Sequence, residues 1–159
     1  MKLMPLLYKN GFFLLIPIFV WNIILAPHLP EAYQLENFNE GIPRWIALGE
    51  NIFRGIIFVM PAILLIDPKK LLLFMVGLVL YFMSWLLLIL APETSWSTSV
   101  VGFTAPAWLP IIWLAGIGMA GDRYYFKLPF SRWHYWVPSI GFVVFHVAHT
   151  SIIFQRWMS

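Results

Sequence analysis

A chain of 159 residues is one domain by length, too short for both a membrane bundle and a separate soluble catalytic domain. With 61% hydrophobic, 18% aromatic and 11% charged residues it is not a soluble domain, whose apolar share is nearer about 45–50%. The net charge of +3 is dispersed between apolar blocks rather than gathered on a nucleic-acid-binding face, and the absence of cysteine excludes disulfides, thiolate metal sites and cysteine nucleophiles.

Met1 to Ala26 has the layout of a signal peptide, with Lys2 and Lys9 before an apolar block. Ile24 and Pro27 make a poor processing site around Ala26, so this segment is expected to stay as a first helix over about 11–26, with Asn22 near its far end. Pro27 to Arg44 carries Glu31, Glu36 and Glu40 with Tyr33 and Phe38 among them, and reads as a connection lying on the membrane surface. A second helix is predicted over 45–66, opened by Pro43 and anchored by Trp45, with a kink at Pro61. After the Asp67-Pro68-Lys69-Lys70 turn a third runs over 71–91. The fourth, 100–120, is irregular because Pro106 and Pro110 fall within it; its second half carries Gly116 and Ala120 at the spacing that lets helices approach closely. A basic, aromatic loop with Arg123, Lys127 and Arg132 leads to a fifth helix over 135–154.

The expected fold is therefore all-α, a single transmembrane domain over 1–159 made of five membrane-spanning helices. Lys2, Lys9, Lys69, Lys70, Arg123, Lys127 and Arg132 collect on one side, which the positive-inside rule makes cytoplasmic. The N-terminus is then inside and the C-terminus outside. The lack of cysteines and glycosylation sequons leans towards a bacterial plasma membrane. In five-helix outline, length and tryptophan richness the chain resembles TspO-like translocator proteins, a resemblance of topology and composition that assigns no residue a role.

The polar residues carry the functional reading. Glu50 and Arg54 sit one turn apart inside the second span, where each charge costs about 2.5–3.5 kcal/mol on insertion scales, so the pair must face protein or water. At about 1.5 Å per residue, Asn22, Glu50, Asn51, Arg54, Ser84, Thr104, His146 and His149 all fall at one level in the outer half of the membrane. His146 and Thr150 share a stripe of the last helix, with His149 on its shoulder. A polar chamber lined by Glu50, Asn51, Arg54, His146 and His149 is expected, with Asn22, Ser84, Thr104 and Thr150 as further polar candidates and Trp85 and Trp108 as wall. Each also has a structural reading: buried ion pair, interhelical hydrogen bond or packed core.

Two functions follow. The first is a receptor or carrier for a small amphipathic anion, with Arg54 on a carboxylate or phosphate and Glu50 fixing its guanidinium. The second is an intramembrane metal-dependent hydrolase in which His146, His149 and Glu50 hold zinc or iron. His-x-x-His is too sparse a motif to assign a metal, and no cofactor is predicted. A structural accessory subunit is a further alternative. The partners expected are membrane lipid and a small molecule, not nucleic acid, and a homo-oligomer or a larger membrane partner fits the composition equally.

Overall fold

The computed structural model describes residues 9–158 and is mostly helical, 74%. Lys2, one of the inner-side charges, lies outside the described residues. A 3-10 turn, Gly11–Leu14, leads into helix α1, Ile16–Leu25. The connector holds two further 3-10 turns, Ala26–His28 and Glu31–Tyr33, and the short helix α2, Leu35–Phe38. Helix α3 is Arg44–Val59 and α4 is Leu72–Leu90. The expected fourth span is in three pieces, α5 (Val100–Phe103), α6 (Ala105–Trp108) and α7 (Pro110–Ala120). The last two carry a proline in the first turn, where a missing N–H does no harm. Helix α8, Trp133–Met158, is longer at both ends than predicted, so Trp133 and Trp157 are helical.

Among the described residues, four segments are long and apolar enough to cross a membrane: Gly11–His28, Arg44–Ile63, Leu72–Leu90 and Trp133–Trp157. Ala105–Ala120 is a shorter apolar stretch. Large apolar side chains cover the outer faces of these helices; Ile23, Leu72 and Leu90 are more than three-quarters exposed. In water such a surface would aggregate, whereas lipid accepts it.

The second span departs from expectation at its end. Regular α-helix stops at Val59, and Met60–Ile63, with Pro61 inside, is 3-10. Proline has no N–H to continue the ladder, so the helix ends rather than kinks. Leu64–Ile66, predicted as helix, is instead strand β1, paired antiparallel with β2, Gly121–Tyr124, which was expected to be loop. Ile66 N–H donates to Lys9 and Asp67 N–H to Ala120 (both 2.8 Å), so the irregular backbone at this end of the bundle is hydrogen-bonded.

Within the bundle α3 lies along α8, α4 lies along α7, and α7 also meets α8. The α4–α7 seam depends on two glycines. A Cβ on Gly116 would run into the backbone of Phe74, and one on Gly77 into the backbone of Trp113. The small-residue reading of the α7 sequence is thus realised as direct backbone approach. Fully buried Ile57, Leu114, Ile117 and Tyr135 fill the centre.

Candidate functional site

Glu50 and Arg54 lie one turn apart on α3, the helix that packs along α8. Glu50 is only 2% exposed. One carboxylate oxygen, Oε1, accepts from the Arg54 guanidinium and lies 3.0 Å from His146 Nδ1. The other, Oε2, lies 2.6 Å from His149 Nδ1. His149 Nε2 in turn lies 2.8 Å from the backbone carbonyl oxygen of Phe38 in the connector. A single buried carboxylate therefore ties together two helices and, through His149, the connecting segment. Aromatic rings frame the cluster: Phe142 stacks on His146 and Phe38 packs against His149, with centroids 5.1 and 4.3 Å apart.

Arg54 is only part-buried, and Glu50 and Asn51 (3.2 Å from Nη1) engage just two of its five N–H donors. Its guanidinium carbon stands 5.8 Å from the centre of the Phe142 ring. Beside it is a cavity of about 350 Å³ between the connector and the helices. Arg54, His146, Asn22 and Tyr81 supply its polar lining, while Trp85, Trp113, Phe58 and Phe142 supply apolar wall. The Tyr81 hydroxyl donates to Asn22 Oδ1 at 2.9 Å. Among the described residues the Trp113 indole N–H is buried without a hydrogen-bond partner, unusual for a donor that normally finds one, while the Trp85 indole packs edge-on against the Tyr81 ring.

Of the residues predicted for the chamber, Glu50, Arg54, His146 and His149 come together as one hydrogen-bonded cluster, and Asn22, Arg54, Trp85 and His146 line the cavity. Asn51 is exposed on the outer side of α3 and reaches the site only through Arg54. Ser84, Thr104 and Thr150 are buried, but each hydroxyl donates to a carbonyl in its own chain segment, to Tyr81, Val100 and His146 respectively. Trp108 likewise donates to Val101. These four do not line the cavity.

The connector holds the residues that sequence reading left out of the site. Leu29, Tyr33, Leu35 and Phe38 form one wall of the cavity. The Tyr33 hydroxyl donates to the Phe103 carbonyl, and burial pushes its pKa well above the ordinary phenol value, so it stays a donor. Arg156 near the end of α8 donates to the carbonyls of Asn37 and Glu40, pinning the same segment. Apolar Tyr33, Leu35 and Phe38 among the glutamates were the available signal for an inward-folding segment.

A metal would need free lone pairs on the ligating nitrogens. His149 has hydrogen-bond partners at both of its nitrogens, and among the described residues no group of three His, Asp or Glu side chains is arranged to hold a metal ion. Comparison with known proteins finds no match to this chain among family models, curated proteins or solved structures.

Proposed function

We propose that this is a plasma-membrane protein with five crossings, the broken α5–α7 segment being one of them, which binds and carries a small amphipathic anion. In this reading the N-terminus is cytoplasmic, and the cavity lies in the outer half of a bacterial membrane, next to an external connector. The inner-side cluster of lysines and arginines supports the orientation.

One observation carries the binding reading: a guanidinium with donors left over by Glu50 and Asn51 lines a largely apolar cavity walled by tryptophan and phenylalanine rings. At about 350 Å³ it is at the small end of the roughly 300–1,000 Å³ usual for small-molecule sites. Glu50 fixes one edge of the guanidinium and leaves the rest for a carboxylate or phosphate, while the tryptophans take the apolar body. The metal-hydrolase alternative draws no comparable support.

The test uses protein in lipid nanodiscs, with tryptophan fluorescence reporting titrations of octanoate and of octanol. Octanoate is expected to bind more tightly. An Arg54→Gln variant should lose about 1.5–3 kcal/mol of that binding, tenfold to a hundredfold in Kd, while octanol is unaffected. Equal octanoate affinity in the two proteins would overturn the reading.

A further inference from the structure

The hydrogen bonds of His149 do not balance with a neutral imidazole beside an ionised carboxylate. The Phe38 carbonyl oxygen can only accept, so His149 Nε2 must carry a proton to bond it at 2.8 Å. A neutral ring then has a bare lone pair at Nδ1, facing Glu50 Oε2 at 2.6 Å. Two lone pairs at that distance repel. One more proton has to lie on the Nδ1–Oε2 line, either on the ring as imidazolium or on the carboxyl as the neutral acid. The charged and titratable groups bonded to this pair are Arg54 from α3 and His146 from α8; Tyr33 of the connector and Tyr81 of α4 line the adjoining cavity. The two tyrosines are neutral donors. With His146 neutral, the cluster of Arg54, Glu50 and His149 therefore carries one net positive charge when the extra proton is present, and none when it has left.

We propose that Glu50 and His149 together form a proton-binding site that latches the connector wall of the cavity and couples proton binding to anion binding. Resting on the anion-binding reading for its ligand, the site works as follows. When the proton is bound, His149 donates through Nε2 to Phe38 and shares the second proton with Glu50. When the proton leaves to water, the ring keeps a single N–H for two acceptors, and either the Phe38 or the Glu50 bond is lost. Phe38 lines the cavity, so release of its carbonyl loosens that wall. The neutral cluster also attracts an anion at Arg54 less. Linkage makes the effect reciprocal: an anion entering the cavity takes up a proton from solution. His146 lines the cavity and its Nδ1 lies on Glu50, giving the proton a route between the cavity and the buried pair.

The experiment reads the proton site directly and then the coupling. Full-length protein labelled with ¹⁵N-histidine is titrated from about pH 5 to about pH 9, with His149 assigned from a His149→Gln variant. His149 is expected to pass from both nitrogens protonated, or sharing a proton with Glu50, to a single N–H, in one coupled step. In Glu50→Gln the amide donates to Nδ1 permanently, so His149 should stay a neutral Nε2–H tautomer throughout. A wild-type His149 that keeps one unchanging tautomer over this range overturns the proposal, whatever binds in the cavity.

The second arm uses 1-octanesulfonate, whose own charge does not vary with pH. Its affinity should fall up to about tenfold per pH unit above the apparent pKa of the pair, with proton uptake on binding measured by calorimetry in two buffers. Glu50→Gln should bind it without pH dependence. PH-independent binding by the wild type rejects the coupling. Failure of both octanoate and the sulfonate to bind at any pH rejects the anion reading and the coupling with it, leaving the histidine titration to decide the proton site alone.

Discussion

The two principal helix seams are built on opposite chemistry. Between α4 and α7 there is no charge: Gly116 and Gly77 let backbone meet backbone at Phe74 and Trp113, and shape alone sets the fit. Between α3 and α8, Glu50 joins Arg54, His146 and His149 through hydrogen bonds that survive only in a fixed pattern of protons and charge. The first seam is tuned by volume and the second by ionisation. The cavity lies between them, with Trp113 from one side and Arg54 and His146 from the other. A close-packed, uncharged wall facing a charged one is an arrangement in which protonation can alter a binding site without disturbing the whole bundle.

The contrast can be broken from either side. Gly116→Val should have the largest effect: the added carbons meet backbone that cannot yield, and a loss of roughly 4–5 kcal/mol, or failure to recover folded protein, is expected. Thermal unfolding in nanodiscs reads this, and a tolerant variant would mean the seam is looser than described. Glu50→Ala comes next. It strands Arg54 and two histidines without their acceptor, and removing one partner of a buried ionic cluster costs about 3–5 kcal/mol. Glu50→Gln, which keeps shape and hydrogen bonds, should recover most of that stability; equal losses in the two would show that packing, not the bonds, governs this seam. The smallest change expected is in Trp113→Phe. Lost ring volume is offset by deleting a buried donor whose missing bond costs about 1–3 kcal/mol, so the net shift should stay within about 1 kcal/mol. A large destabilisation would reveal an unseen partner for that indole.

Much of this contrast was legible in the residue order. Hydropathy located the long apolar helices, and the expense of charge in hydrocarbon forced Glu50 and Arg54 inward. Depth arithmetic set His146 and His149 level with them. What the pattern could not convey was the path of non-helical backbone. A short apolar run such as Leu64–Ile66 reads as the end of a helix, because three residues carry too few side chains to distinguish one period from another. That the connector also walls the cavity was hidden because its glutamates outweighed Tyr33 and Phe38. Its decisive group, the Phe38 carbonyl, belongs to the main chain and leaves no mark in side-chain composition. Ser84, Thr104 and Thr150 were read as candidate pocket residues because depth alone does not reveal that a hydroxyl is occupied by its own helix.

The pairing of Leu64–Ile66 with Gly121–Tyr124 has a consequence for biogenesis. The first of these strands leaves the ribosome long before the second exists; in the interval its Ile66 amide can reach the Lys9 carbonyl, but the partners it takes from Gly121–Tyr124 are missing. Closure of this end of the bundle therefore waits until the α7 segment has been threaded. A nascent chain arrested just short of Gly121 should be cut readily by protease at residues 64–66, and one released after Tyr124 should resist.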